Sequence, residues 1–114
     1  MKNLLVLIAT LACTASAFAA DSLPLEKVQE KARTCSACHG PDGNGISPMY
    51  PRLAGQYHDY LARALHEYKS GERKNPIMAG FASTLSEAEI QGLSNYYAQM
   101  PSKLDDLSHY EQGD

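Results

Sequence analysis

The feature that most constrains the fold of this 114-residue chain is the pentapeptide Cys35-Ser36-Ala37-Cys38-His39. Two thiols one helical turn apart can add to the two vinyl groups of a haem while the adjoining imidazole reaches the iron. Half of a zinc site would need two further ligands, and a redox-active dithiol would need a thioredoxin-like strand and helix pattern. Because neither accompaniment is present, the motif predicts one haem c, with its iron, bound covalently through Cys35 and Cys38.

The N-terminal residues have the pattern of an export signal. A short polar start that includes Lys2 precedes an apolar run over residues 4–12, and mostly small residues follow. Signal peptidases require small side chains at the last and third-last positions before the cut, which fits Ala17 and Ala19. We therefore predict a signal peptide over residues 1–19, cleaved after about Ala19, and a mature protein in the periplasm. An uncleaved anchor would need about 20 apolar residues, so we expect no spanning segment in the mature chain.

The composition of the mature chain argues against a nucleic-acid-binding protein. Loss of Lys2 with the signal peptide changes the formal charge from −3 to −4, whereas nucleic-acid binders carry basic patches. The residues that remain are enough for one domain with a modest apolar core, and domains of this size often depend on a cofactor for stability. We expect one domain over residues 20–101 and an acidic C-terminal tail over residues 102–114.

The hydrophobic periodicity predicts an all-α domain with three principal helices and two long loops. Apolar residues recur at helical spacing in three segments, which predicts helices over roughly residues 23–36, 57–70 and 86–100. Glycines and prolines exclude regular structure over residues 40–55, and residues 72–84 have no sustained period, so we predict a second loop there. Long loops without regular structure usually carry function in a compact domain. We therefore expect both loops to wrap around the haem.

Several short motifs follow the pentapeptide in a fixed order. They are Cys35-Ser-Ala-Cys-His-Gly40, Asp42-Gly43-Asn44-Gly45, Pro51-Arg-Leu-Ala-Gly55-Gln56, Asn75-Pro-Ile-Met78-Ala-Gly80, and Leu85-Ser86 leading into Tyr96-Tyr97. Over about residues 25–100 the set resembles the class I c-type cytochromes, and most nearly one haem domain of the dihaem periplasmic cytochromes c. The resemblance implies the small cytochrome c fold for the domain at residues 20–101.

The same resemblance implies the ligands of the iron. His39 would be the proximal axial ligand, Met78 the distal one, and Pro51 would supply a backbone carbonyl to the His39 ring N–H. The positions of two other methionines also favour Met78. Met49 follows His39 by only ten positions, within the loop expected on the proximal side, and Met100 lies on the buried face of the last helix, where Met is usually core filler. A histidine remains the main alternative to Met78, the candidates being His58, His66 and His109.

The chain departs from the family pattern at two positions. Val28 stands where these cytochromes usually have a glycine that allows the first and last helices to cross closely, so we expect that contact to be wider or shifted. Phe81 replaces a second methionine that is common in the nearest relatives. The chain also carries a single attachment motif, so a second haem would have to come from another chain.

Taken together, the motif and the resemblance imply periplasmic electron transfer through a single haem rather than an enzyme with its own substrate. A thioether raises the reduction potential of a haem and leaves no open site for oxygen or peroxide. The partners would be redox proteins of the periplasm, such as a terminal oxidase or a reductase, and not nucleic acid. Two alternatives remain, a docked haem subunit of a larger oxidoreductase complex and a small haem peroxidase.

Overall fold

The computed structural model describes residues 22–103, and its regular structure there consists of four helices. In chain order they are α1 (Leu25–His39), α2 (His58–Ser70), α3 (Pro76–Ser83) and α4 (Glu87–Ala98). Residues 22–103 contain no strand, which confirms the predicted all-α class. The predicted signal peptide and residues 104–114 of the predicted tail lie outside this range. No helix between residues 22 and 103 has the length and apolar character needed to cross a membrane.

The core forms where α4 packs against both α1 and α2, while α3 packs against α2. Helices α1, α2 and α4 each contribute apolar side chains from one face, as their periodicity predicted. The buried cluster consists of Val28, Ala32, Leu61, Ala62, Leu85, Ile90, Leu93 and Tyr97.

Helix α4 begins with a capping box, for which Ser86 and Glu89 have the required spacing in the sequence. The Ser86 hydroxyl accepts from the backbone N–H of Glu89 at 3.2 Å, and the Glu89 carboxylate accepts from the Ser86 N–H at 2.8 Å. Lys31 of α1 lies 2.9 Å from the same carboxylate and, by hydrogen bonding to it, lowers the pKa of Glu89. The start of α4 is therefore tied to the side of α1.

Helix α3 corrects the predicted second loop. Residues 72–84 were expected to lack regular structure, but Pro76–Ser83 form two turns of helix. The Asn75 side chain caps this helix, and Pro76 occupies its first turn, where a missing N–H costs nothing. Packing against α2 then stabilises the segment, with Ala82 fully buried. Because the helix is short and lies in a segment rich in helix breakers, its periodicity could not be seen in the sequence.

The crossing of α1 and α4 differs from the expectation based on Val28. Val28 is 4% exposed, and a methyl group placed on Gly92 of α4 would lie 2.8 Å from its Cγ2 atom. A contact this short means that a side chain at position 92 has no room. The close approach of the two helices is therefore retained, with α4 supplying the glycine instead of α1.

Replacing Gly92 with alanine should therefore destabilise the protein. Overpacking costs about 1–3 kcal/mol, whereas helix propensity alone would favour alanine by about 1 kcal/mol. We expect Gly92→Ala to lower the free energy of unfolding by up to about 2 kcal/mol, measured by urea titration of the holoprotein.

The control is a double-mutant cycle with Val28→Ala, which removes the methyl groups that the new side chain in Gly92→Ala would meet. The double variant should be less destabilised than the sum of the two single variants, because the steric conflict is then gone. Strictly additive effects would contradict the contact between these two positions.

Candidate haem-binding site

The two cysteines of the attachment motif lie on the last turns of α1. This helix extends three residues beyond the predicted end at residue 36, so Cys35, Cys38 and His39 all belong to it. Both thiols are free and partly buried. Burial raises the pKa of the Cys35 thiol, with partial opposition from the Tyr97 hydroxyl. The helix therefore presents two free thiols one turn apart, followed at once by an imidazole.

The ring of His39 is oriented by a backbone carbonyl. It is 6% exposed, and its Nδ1 atom lies 2.7 Å from the carbonyl oxygen of Pro51. A carbonyl can only accept, so Nδ1 carries the proton and donates it, and in the neutral ring Nε2 keeps its lone pair. A hydrogen bond of this kind, from the ring nitrogen that does not bind the metal, fixes the tautomer of metal-binding histidines. The structure thus brings together the two residues that the resemblance paired.

Pro51 is held in place by the loop between α1 and α2. Gly43 accepts at its carbonyl from the N–H groups of Leu53 and Ala54, at 2.7 and 2.9 Å. Gly43 has a φ of 69°, and a methyl group there would lie 3.0–3.1 Å from Ala54 and from the Tyr97 ring. Only glycine fits such a position without strain. The loop therefore folds back on itself and presents Pro51 to the end of α1.

Tyr97 joins this loop to α1 from the side of α4. It is 3% exposed, its hydroxyl donates to the Ala32 carbonyl at 3.3 Å, and its own carbonyl accepts from the Gly55 N–H at 3.0 Å. Burial raises the pKa of Tyr97 to about 12, so the hydroxyl remains a donor at neutral pH. These contacts join segments that are distant in sequence, so they could be seen only after folding.

The first residues of the predicted tail also contact this loop. The Asn44 side chain donates to the Pro101 carbonyl at 3.4 Å and accepts from the Lys103 N–H at 2.9 Å. The Lys103 ammonium lies 3.4 Å from Asp42, and the Asn44 N–H lowers the pKa of that carboxyl group. Residues 102 and 103 therefore lie against the loop that follows the attachment motif.

The structure gives three methionines very different surroundings. Met78 is partly buried on the first turn of α3, beside the exposed side chains of Ile77 and Phe81. Met49 is 84% exposed in the loop. Met100 packs against the buried core cluster, as its position on the helical stripe predicted.

The two described histidines that rival Met78 lie on the surface of α2. His58 Nδ1 is 3.0 Å from an Asp59 carboxylate oxygen, and His66 Nε2 is 3.3 Å from one of Glu87. Both line an open groove of about 770 Å³ that contains no residue of the attachment motif. Residues 22–103 contain no cluster of three or more His, Cys, Asp or Glu able to hold a separate metal ion. His109 lies outside the described residues.

The residues present fit a haem. Two free thiols and an Nε2 lone pair provide the attachment and ligand atoms. Ile46 lies directly beside the motif, since its N–H donates to the Cys38 carbonyl at 3.2 Å, yet it is 60% exposed. Ile77 and Phe81 are 64% and 46% exposed next to Met78. These apolar side chains lie exposed beside the attachment motif and beside Met78, where a bound haem would cover them.

Comparison with known proteins identifies relatives of this site. The family described as Cytochrome c matches residues 26–101. Cytochrome c4 from Pseudomonas aeruginosa is 40% identical over 99 residues, covering 86% of this chain and 48% of that protein. A protein named thiosulfate dehydrogenase electron acceptor, from Thiomonas intermedia, is 42% identical over 71 residues, covering 61% of this chain and 33% of its own length. The chain thus spans about half the length of the cytochrome c4 relative.

Solved structures agree with these matches. Reduced recombinant cytochrome c4 from Pseudomonas stutzeri aligns with a TM-score of 0.60 and 33% identity, covering 68% of this chain and 48% of the other. Thiosulfate dehydrogenase from Marichromatium purpuratum aligns with a TM-score of 0.64 and 28% identity, covering 75% of this chain and 21% of the other. The small cytochrome c fold and the predicted family resemblance are confirmed. The chain therefore belongs to the cytochrome c family, and membership implies covalently bound haem c with its iron.

Proposed function

We propose that this protein is a periplasmic electron carrier with one haem c, attached through Cys35 and Cys38 and ligated by His39 and Met78. The observation that carries the proposal is the buried ring of His39, held by the Pro51 carbonyl at 2.7 Å. That contact leaves Nε2 free for a metal, immediately after two free thiols on the same helix. When bound, haem supplies an iron that changes between two oxidation states.

The chain's own residues would control that iron in distinct ways. Cys35 and Cys38 would fix the group covalently to the end of α1. The Pro51 carbonyl would keep the His39 ring in one tautomer and increase the basicity of Nε2, as such contacts do at other metal sites. Met78 would close the opposite side with a soft thioether, which favours the reduced state and excludes small ligands.

The surroundings of the candidate ligands favour Met78 over its rivals. Met78 is partly buried among exposed apolar neighbours, whereas Met49 is nearly free in solvent and Met100 packs in the core. His58 and His66, on the surface of α2, are each within 3.3 Å of a carboxylate oxygen, that of Asp59 and that of Glu87. Met78 therefore combines a suitable donor atom with apolar surroundings from which water can be excluded.

A carrier outside the cytoplasm agrees with the N-terminal sequence of the chain. Residues 1–19 have the pattern of a cleaved signal peptide, which supports a periplasmic location. With both axial positions filled, electron exchange would need only a haem edge and a redox partner, not a bound substrate. The partner would be a periplasmic redox protein such as an oxidase or reductase, and the domain would span residues 20–101.

The alternative of a docked haem subunit has support of its own. One relative is named as the electron acceptor of a thiosulfate dehydrogenase, and a thiosulfate dehydrogenase itself contains a region that aligns with this fold. A domain of this kind could therefore receive electrons within a complex as well as by diffusion. A small peroxidase would need an open sixth position, which ligation by Met78 would remove.

The first prediction of this proposal is a covalent haem. Protein matured by the periplasmic attachment machinery should keep its haem through denaturation and acidic organic extraction. Mass spectrometry should give residues 20–114 plus one haem, and Cys35→Ala or Cys38→Ala should leave a single, weaker linkage. A haem that extracts fully from the unmodified protein would contradict the attachment, and a different polypeptide mass would contradict cleavage after Ala19.

The second prediction concerns the ligand opposite His39. Met78→Ala should open the sixth position, lower the reduction potential and create carbon monoxide binding to the ferrous protein, because the thioether both favours reduced iron and occupies the site. Potentiometry and absorption spectra measure these changes.

Two methionine variants provide matched controls. Met49→Ala removes an exposed side chain and should change neither spectrum nor stability. Truncation of a buried methionine to alanine costs about 2–5 kcal/mol. Because Met100 is only partly buried, Met100→Ala should lower the free energy of unfolding by less than this and leave the ligation unchanged. If Met100→Ala gave the spectrum of ligand loss, Met78 would be the wrong assignment.

The third prediction separates a carrier from a peroxidase. Stopped-flow reduction and reoxidation with periplasmic redox proteins should be fast, whereas peroxide turnover and carbon monoxide binding should be absent. Residues 20–114 carry a formal charge of −4 once Lys2 is lost from a total of −3. Charge steering should therefore make the rate with a basic partner fall as ionic strength rises. Robust peroxide turnover by the unmodified protein would contradict the proposed role of electron carrier.

A further inference from the structure

The start of α3 is organised by a single side chain. Asn75 is the N-cap, with φ −156° and ψ 109°, and its Oδ1 atom accepts from the N–H groups of Ile77 at 3.0 Å and Met78 at 3.1 Å. Its backbone carbonyl accepts from the Ala79 N–H at 2.8 Å. Pro76, which lies between Asn75 and Ile77, has no N–H and a fixed φ. The Met78 N–H thus has Asn75 as its acceptor.

The rest of α3 does little to hold this first turn. The helix has eight residues, fewer than an isolated helix needs for stability in water. Its buried residue, Ala82, lies near the far end of the helix, whereas Ile77 in the first turn is 64% exposed. Burial therefore anchors the end of α3, and the cap accounts for the order of its beginning.

We propose that Asn75 is a positioning residue for Met78, which holds the thioether in reach of the iron by keeping the first turn of α3 closed. The inference rests on the proposed function, in which Met78 is the distal ligand. In this proposal the turn carrying Met78 moves away when that ligand leaves, and movement of the turn breaks both hydrogen bonds to Asn75. Asn75 would thereby set how often the sixth position opens.

Imidazole binding to the ferric holoprotein measures this opening, because added imidazole can bind only when Met78 has left. Loss of an N-cap side chain shifts a helix-end equilibrium by about fivefold. Asn75→Ala should therefore raise the apparent affinity for imidazole by about fivefold. Asn75→Ser should restore near-normal affinity, because serine also caps helices and adds no charge near the site.

Ser86→Ala is the matched control. It removes the hydroxyl that caps α4, which carries no proposed ligand. The free energy of unfolding should fall, while the affinity for imidazole stays unchanged. Equal effects of Asn75→Ala and Ser86→Ala on imidazole binding would mean that capping acts through overall stability, which would overturn the inference.

Two further measurements distinguish failure of the inference from failure of the proposed function. If Met78→Ala binds imidazole no more tightly than the unmodified protein, Met78 is not the ligand and the proposed function fails. If Met78→Ala binds more tightly but Asn75→Ala does not, the ligand is right and the positioning role is wrong. Hydrogen exchange at the Ile77 and Met78 amides should also accelerate in Asn75→Ala and return toward normal in Asn75→Ser; unchanged exchange would overturn the inference.

Discussion

The hydrogen bond between the buried His39 ring and the Pro51 carbonyl is the contact on which the organisation of the site depends. It joins the end of α1 to a loop with no regular structure of its own, and it determines which ring nitrogen can bind a metal. The loop can deliver that carbonyl because Gly43 allows it to fold back on Ala54 and on the Tyr97 ring. A side chain at position 43 would push the loop away from α4 and move Pro51 with it.

The helices supply the rigid frame that this loop needs. The close contact between Val28 of α1 and Gly92 of α4 shows that what matters is the sum of side-chain volumes at the crossing, not which helix carries the glycine. Tyr97 then extends the same interface to the loop, since its hydroxyl contacts α1 and its carbonyl accepts from Gly55. The orientation of His39 is therefore linked to the packing of α1 on α4.

The two sides of the site are built by different means. On the His39 side, the ring is buried and is oriented by its hydrogen bond to the Pro51 carbonyl, in a loop that itself contacts α4. On the Met78 side, a short helix on the surface of α2 depends on local capping by Asn75. Local structure of that kind opens at lower free energy than a packed core. The proposed distal ligand thus lies on the less stable part of the domain.

The sequence by itself determined the attachment motif, the all-α class, the capping box at Ser86 and the three amphipathic helices, because spacing and periodicity are local properties of a chain. It also paired His39 with Pro51 through family resemblance. Only the tertiary structure decided that residues 76–83 are helical, that Gly92 makes room for Val28, and that Asn44 holds Lys103 beside the loop. The physical reason is that these features depend on contacts between segments distant in sequence or on packing against another helix, which no local pattern records.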